Sequence, residues 1–137
     1  KWRQYDAQYK GCNDGESMSI PLMDGRDIHF WDIRVDGDNN TAKLQKGAGR
    51  RGRYYGANLF QNEVQGNARN LFGHHMLEIN KAGYEIILQV HDEVVVEVDI
   101  DKAQQAKKDI RRIMKSAPQW CDIPLDSEVV LMERYTK

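Results

Sequence analysis

Residues 84–98 are YEIILQVHDEVVVEV, two apolar runs rich in β-branched side chains that meet at His91-Asp92-Glu93. Such runs predict the two strands of a β-hairpin with the acidic pair at its tip. Adjacent carboxylates at a tip can hold a divalent metal ion at the edge of a sheet, whereas the same residues in mid-strand would be buried at high cost. On spacing alone a simpler interpretation is favoured, in which Asp92 and Glu93 only solubilise a turn.

Residue patterns on both sides of this hairpin predict an α+β fold. Upstream, a long helix is predicted over about Tyr55–Lys81, because apolar residues recur at three- and four-residue spacing, and Gly83 ends it. Downstream, the pattern predicts an amphipathic helix over about Asp101–Ser116 and a final strand near Ser127–Glu133. We expect an antiparallel sheet with both helices packed on one face. The apolar residues of the long helix are Phe60, Val64, Ala68, Leu71, Phe72 and Ile79.

The N-terminal 51 residues contain a second hairpin pattern and a basic segment. Met18–Met23 and Arg26–Val35 alternate around Asp24-Gly25, which is a strong signal for a two-residue turn. Residues 2–10 predict a short helix, and residues from about 36 to 52 predict a loop. Cations are concentrated in this loop, where they either follow a phosphate backbone or are simply solvated. They are Lys43, Lys46, Arg50, Arg51 and Arg53.

Length and composition fit one globular unit, with residues 1–51 and 52–137 as its two parts. The chain has 137 residues, 40% hydrophobic and 30% charged, and a net charge of −1, which suits a single domain with its own core. Cys12 and Cys121 lack both metal-ligand spacing and the density of a secreted scaffold, so we expect a reducing cytoplasm. No apolar run approaches the length of a membrane span, and Lys1 in place of an initiator Met indicates a fragment or a processed product.

One face of the long helix carries amide and guanidinium donors. At about 100° per residue, these donors fall within roughly a quarter turn. Every base pair presents acceptors at nearly the same places in the minor groove, so such donors test the shape of DNA without reading its sequence. For Asn58, Gln61 and Asn62, an ordinary polar helix face is an equal alternative. The donors are Asn58, Gln61, Asn62, Gln65 and Arg69.

The string Gln89-Val90-His91-Asp92-Glu93, followed by an apolar strand, closely resembles motif C of family A DNA polymerases. The resemblance continues upstream, where residues 65–69, QGNAR, are similar to the QG-x-A segment of that family. It is strong over residues 52–137. It is weaker over residues 1–51, where the hairpin around Asp24-Gly25 is similar to one in phage-encoded members.

The resemblance implies a palm-type sheet and nucleotidyl transfer from deoxynucleoside triphosphates to a primer 3′-hydroxyl, with two Mg²⁺ ions. It implies that Asp92 is a metal ligand, that Glu93 is an outer or auxiliary one, and that His91 lies near the primer terminus. It also implies that Gln65 contacts the primer-template DNA. The four-residue steps before Gln65 hold Ala57 and Gln61, where family members often have Arg and Asn.

Two signatures of the family are absent from the sequence: motif A, whose aspartate is the second bridging carboxylate, and the fingers motif that binds the nucleotide. We therefore expect the C-terminal part of a polymerase, inactive alone and completed by a motif A-bearing segment or partner chain. The alternative is a non-catalytic remnant that binds duplex DNA. A nuclease or phosphatase built on Asp92 and Glu93 has little support, because too few carboxylates gather there. Retention of QVHDE favours the polymerase part, since a pure binder gains nothing from carboxylates that face phosphates.

Overall fold

A computed structural model describes residues 4–5, 15–36, 41–46 and 52–135. Within these residues the chain forms six strands and two helices. The chain divides into two compact units, residues 1–68 and 69–137. In order, the elements are β1 (Met18–Pro21), β2 (Asp27–Asp36), β3 (Thr41–Lys46), β4 (Gly52–Tyr54), α1 (Gly56–Lys81), β5 (Glu85–Val90), β6 (Glu93–Glu97) and α2 (Ala103–Lys115).

The first unit contains a four-stranded antiparallel sheet in the order β1-β2-β3-β4. The predicted hairpin around Asp24-Gly25 is confirmed, but the predicted two-residue turn is wrong, because the Leu22 N–H donates to the Arg26 carbonyl oxygen at 2.7 Å and three residues lie between them. Gly25 has φ +85°, which a glycine adopts without strain. The Asp24 carboxylate accepts from the Arg26 backbone N–H at 3.2 Å and so closes the turn.

The predicted basic loop is wrong over much of its length, because residues 41–46 and 52–54 form β3 and β4. Charged, glycine-containing sequence has little strand propensity of its own. These segments become strands because β2 offers β3 a ladder of main-chain partners, and β3 offers the same to β4. Arg50 and Arg51 lie outside the described residues, as does most of the helix predicted over residues 2–10.

The core of the first unit is built by the inner face of the sheet and the start of α1. Ile20, Phe30, Ile33 and Leu59 are fully buried there, with Tyr54 packed against them. Burial of four such side chains contributes about 1.5–3 kcal/mol each to folding. The first turns of α1 therefore form part of the core of the first unit.

Helix α1 closely matches the predicted long helix, but its apolar stripe does not pack as expected. Phe72 and Ile79 are buried, whereas Phe60 is 37% exposed and Val64 is 51% exposed. The polar Glu63 is buried in their place. The apolar spacing thus predicted the helix correctly and its inward face incorrectly over the first unit.

The second unit contains a two-stranded antiparallel sheet, β5-β6, and helix α2. Its core consists of Ile79 together with Ala106, Ile110 and Ile113 of α2, and apolar residues of both strands pack against it. The α+β class is thus confirmed, with two small antiparallel sheets and two helices in the part of the chain that the structure describes. The finer expectations, a palm-type sheet and a single unit over residues 1–137, stay predictions.

The final strand predicted near Ser127–Glu133 is wrong for this structure. These residues form no strand and pair with no strand among the described residues. Val129 packs against the second core, while Val130 and Met132 are exposed. An apolar β-branched run becomes a strand only where a neighbour supplies hydrogen-bond partners, and no described neighbour does so here.

Candidate functional site

The acidic tip is a two-residue turn between β5 and β6. Strand β5 ends at Val90 and β6 begins at Glu93, and these two residues face each other in register. His91 and Asp92 form the turn between them, and both are exposed. His91 has φ +53°, a left-handed conformation that costs a side-chain-bearing residue about 1 kcal/mol or more. The turn therefore projects the Asp92 carboxylate into solvent at the end of a short hairpin.

Gln89 braces this turn from the strand that precedes it. Its side-chain Nε2 donates to the carbonyl oxygen of His91 at 3.0 Å. The bond gives the left-handed His91 peptide a partner and opposes relaxation of the turn. The residue pattern did not predict this role for Gln89. The available signal was an amide side chain two residues before a tight turn, which is within reach of the turn's main chain.

The turn supplies carboxylates, but it does not form a complete metal site. Asp92 and Glu93 are exposed oxygen donors, the ligand type that Mg²⁺ prefers. Among the described residues, no three His, Cys, Asp or Glu side chains gather closely enough to hold a metal ion. The donor set therefore fits part of a magnesium site, with further oxygen ligands needed from outside it.

The predicted amide stripe divides into two groups by exposure. Gln61, Gln65 and Arg69 are exposed. Asn58 and Asn62 are half-buried and take part in local bonds: the Asn58 Oδ1 accepts from the Tyr55 backbone N–H at 3.2 Å, and the Asn62 Nδ2 donates to the Asn58 carbonyl oxygen at 2.7 Å. Asn58 thus serves the first turn of α1, where backbone N–H groups lack helical partners.

Gly66, the residue after Gln65, allows the β1-β2 hairpin to lie against α1. A Cβ at Gly66 would stand 3.0 Å from methyl groups of Leu22 and Ile28. Beside it, the Asn67 Oδ1 accepts from the Met23 backbone N–H at 2.8 Å. These contacts hold the helix turn that carries Gln65 against the hairpin, so the Gln65 side chain projects from a supported backbone.

A buried polar pair lies under the same part of α1. The Tyr5 hydroxyl donates to the Glu63 Oε2 at 2.7 Å, and both residues are buried. Burial, followed by this hydrogen bond and the charge of Glu63, raises the pKa of Tyr5. The sequence pattern gave no sign of the pair, because its members stand 58 positions apart.

A second polar network fixes the entry of β5 onto α2. The Tyr84 hydroxyl donates to the Asp109 Oδ2 at 2.7 Å, and the Gln105 Nε2 donates to the same oxygen at 3.0 Å. These bonds, first from Gln105 and then from Tyr84, lower the pKa of Asp109. Nearby, the buried His75 ring is bonded through Nε2 to the Ser116 carbonyl oxygen at 2.9 Å, at the end of α2. The hairpin that carries Asp92 therefore starts from an anchored position.

Of the predicted basic residues, Lys43 lies exposed on β3 and Arg53 lies exposed on β4. Neither α1 nor α2 is apolar enough over the length needed to cross a membrane, among the helices that the structure describes.

Comparison with known proteins identifies the family. Residues 36–137 match the family model for DNA polymerase family A. The chain is 31% identical over 129 residues to the DNA polymerase of Bacillus phage SP02, covering 88% of this chain and 20% of that protein. It is 31% identical over 119 residues to DNA polymerase I of Aquifex aeolicus, covering 78% of this chain and 21% of that protein.

A third relative is the thermostable DNA polymerase I of Thermus filiformis, 38% identical over 74 residues, which are 51% of this chain and 9% of that protein. No solved structure matches the chain. The chain spans about a fifth or less of the length of these curated relatives. The family match covers well over half of the chain, in keeping with the QVHDE hairpin and the supported Gln65 helix. The chain therefore belongs to DNA polymerase family A.

Proposed function

We propose that this chain is the C-terminal part of a DNA-directed DNA polymerase that adds deoxynucleotides to a primer 3′-hydroxyl by a two-metal mechanism. It acts with a motif A-bearing segment, in the same polypeptide or in a partner chain. The observation that carries the proposal is the exposed Asp92 carboxylate at the apex of the QVHDE hairpin, in a chain of this family. The residues form part of a palm, with the β5-β6 turn as motif C.

In this proposal each residue of the turn has one role. Asp92 supplies an oxygen ligand to Mg²⁺, and Glu93 is an outer or auxiliary ligand. The chemistry that bound Mg²⁺ supplies is activation of the attacking hydroxyl and neutralisation of the charge that develops on the phosphates. His91 lies beside the primer terminus. Gln89 holds the peptide of His91, and through it the direction of the Asp92 side chain.

The exposed donors on α1 and the basic residues make the DNA contacts. Gln61, Gln65 and Arg69 meet minor-groove acceptors of the primer-template duplex, which are present in every base pair. Arg53 contacts phosphates, as do Arg50 and Arg51 by the same charge. Asn58 and Asn62 contribute by keeping the start of α1 ordered, and any direct contact to DNA adds to their bonds within the helix.

The first experiment identifies the rest of the enzyme. Native mass and co-purifying polypeptides are measured for the species that contains this chain in its source. We expect a precursor or partner that carries a motif A aspartate and a fingers lysine. Primer extension is then compared for the purified chain and for the completed enzyme, and only the completed enzyme is expected to extend the primer. Robust extension by the chain alone, abolished by Asp92→Asn, would contradict the need for a motif A partner.

In the completed enzyme, Asp92→Asn is expected to lower kcat by at least about a hundredfold, because a preorganised charge-stabilising group is lost. Glu97→Gln is the matched control, since Glu97 is an exposed carboxylate at the other end of β6. An unchanged kcat in Asp92→Asn would show that Asp92 is not a metal ligand, and the proposal would lose its main support.

The alternative is a non-catalytic remnant that binds duplex DNA. The incomplete carboxylate set among the described residues favours it, as do the exposed amides of α1. It requires duplex affinity with a steep salt dependence, an unchanged affinity in Asp92→Asn, and a native species of about 16 kDa with no polymerase partner.

A further inference from the structure

A row of three cations crosses the outer face of the four-stranded sheet. Arg34 of β2 lies opposite Lys43 of β3, and Lys43 in turn lies opposite Arg53 of β4. All three side chains are exposed. Their neighbours Ile33 and Tyr54 point the other way, into the first core. The row therefore stands on the face opposite the one against which α1 packs.

Like charges that are directly opposite in adjacent strands destabilise a sheet. Neighbouring strands are about 4.8 Å apart, so the cations follow one another at about that spacing. The Arg34 Nε lies 3.4 Å from the Asp32 Oδ1, and this carboxylate compensates part of the charge of Arg34. An aligned series of cations is matched best by a ligand that is itself a series of anions, and a nucleic-acid backbone is such a ligand.

Two aromatic rings extend the same face along β2. The rings of His29 and Trp31 have centroids 5.8 Å apart and an angle of 31° between their planes. Both residues are exposed, and Trp31 retains 44% of its surface. Exposed aromatic rings beside a cationic row form a surface on which unpaired bases stack while cations hold the phosphates.

A β-bulge places the aromatic rings and the cations on one face. Trp31 and Arg34 are three residues apart, so regular alternation would put them on opposite faces. The register shifts between them, and Asp32 has φ +52°. One residue is thereby taken out of the alternation, so that Phe30 and Ile33 are both buried and Trp31 and Arg34 are both exposed.

We propose that this aromatic-cationic face, formed by His29, Trp31, Arg34, Lys43 and Arg53, binds single-stranded DNA. Bases stack on Trp31 and His29, and phosphates lie along the three cations. The inference rests on the proposed function for the choice of DNA as the nucleic acid, and adds to it a surface for an unpaired strand. A duplex is the poorer ligand, because its bases are already stacked and it offers the face only phosphates.

The test measures fluorescence anisotropy of a labelled oligothymidylate and of a blunt duplex with the 137-residue chain, over a series of salt concentrations. Lys43→Gln is expected to weaken oligothymidylate binding several-fold and to make the slope of log K against log salt shallower by about 0.7. Trp31→Leu is expected to weaken it roughly tenfold and to leave duplex binding unchanged. Lys108→Gln and Tyr55→Leu are the matched controls, because each removes an exposed cation or an exposed aromatic ring elsewhere.

The proposal is overturned if the wild-type chain does not bind the oligothymidylate, if the variants behave like their controls, or if Trp31→Leu weakens duplex binding equally. Thermal unfolding of each variant excludes loss of structure as the cause. Gln65→Ala separates this inference from the proposed function. If Gln65→Ala reduces duplex binding while Lys43→Gln and Trp31→Leu bind the oligothymidylate as the wild type does, only the inference is contradicted. The reverse pattern supports the inference and counts against the duplex contact proposed for Gln65.

Discussion

At the scale of single residues, the tip of the second hairpin depends on one unfavourable conformation and one bond that opposes its relaxation. His91 occupies the left-handed region, and Gln89 donates to its carbonyl oxygen. Histidine tolerates this region better than bulky or β-branched residues do. The position of Asp92 therefore depends on Gln89, a side chain that takes no part in chemistry itself.

Gln89→Leu tests this dependence. The change removes the donor and keeps the size of the side chain, so the carbonyl of His91 loses its partner. We expect the free energy of unfolding to fall by about 1 kcal/mol, measured by urea denaturation. We also expect the backbone NMR resonances of His91 and Asp92 to shift more than those elsewhere. Gln104→Leu on the exposed side of α2 is the control, and equal effects of the two substitutions would argue against the brace.

The Tyr84–Asp109 bond gives the second unit a pH-dependent contribution to stability. The pKa of Asp109 is lowered in the folded chain, with Gln105 as the largest cause and Tyr84 as the next. A lowered carboxyl pKa means that the folded state favours the ionised form. The stabilisation is present above the ordinary carboxyl pKa and is lost as the pH falls through the lowered one.

Tyr84→Phe removes one of these two bonds and moves the pKa of Asp109 back toward its ordinary value. We expect the variant to be less stable than the wild type near neutral pH, and the difference to shrink between about pH 5 and pH 2. Urea midpoints measured across that range check the prediction. Tyr54→Phe is the control, because Tyr54 packs against the other core. A difference that stays constant with pH would contradict the linkage.

At the scale of elements, local pattern predicted the helices and both hairpins, and long-range pairing decided the rest. The spacing of apolar residues predicted α1 and α2 to within a few residues, because each helix needs only its own main-chain partners. The composition of β3 does not predict a strand, since it becomes one by pairing with β2. The run over Ser127–Glu133 has strand composition and remains unpaired.

The candidate site, like the secondary structure, was predictable only in part from the sequence. The adjacent carboxylates and the turn between two β-rich runs are visible in the sequence, and the structure has Asp92 in such a turn. The divided roles of the amides on α1 were not predictable. Asn58 and Asn62 bond to the helix itself, while Gln61 and Gln65 remain exposed, and the residue types alone do not distinguish these two outcomes.

Two glycines of α1 test the packing of the β1-β2 hairpin on the helix. Gly73 has no atom within 4 Å of an added Cβ, whereas a Cβ at Gly66 would crowd Leu22 and Ile28 at 3.0 Å. We expect Gly73→Ala to stabilise the chain by about 1 kcal/mol through helix propensity. Gly66→Ala should be less stable than that variant by about 2 kcal/mol, because crowding offsets the same gain. Equal unfolding free energies for the two variants would show that the hairpin moves away from the added Cβ at no cost in stability.

At the scale of the whole molecule, the described residues form two cores rather than one. Leu59 belongs to the first and Ile110 to the second, and each core has its own sheet. Units with separate cores often open separately, because each buries its apolar surface independently. We therefore expect the two units to open separately rather than as one cooperative unit.

Hydrogen exchange with two matched core substitutions tests this expectation. Leu59→Ala is expected to cost about 2–5 kcal/mol and to accelerate exchange in β1 to β4 while α2 keeps its protection. Ile110→Ala should do the reverse, with β5, β6 and α2 losing protection first. Exchange followed by mass spectrometry distinguishes the regions. Uniform acceleration throughout the chain in both variants would show a single cooperative unit.

The two-stranded sheet also determines how the isolated polypeptide behaves at high concentration. Among the described residues, neither β5 nor β6 pairs with a third strand, so each presents unpaired main-chain donors and acceptors along one side. Ile87 and Leu88 lie exposed on β5, and Val130 is exposed near the C-terminal end of the described residues. Such edges template strand addition between molecules, so concentrated samples of the chain alone will tend to aggregate. Ile87→Lys, or co-expression with a polypeptide that pairs with the open edge, is expected to reduce this aggregation.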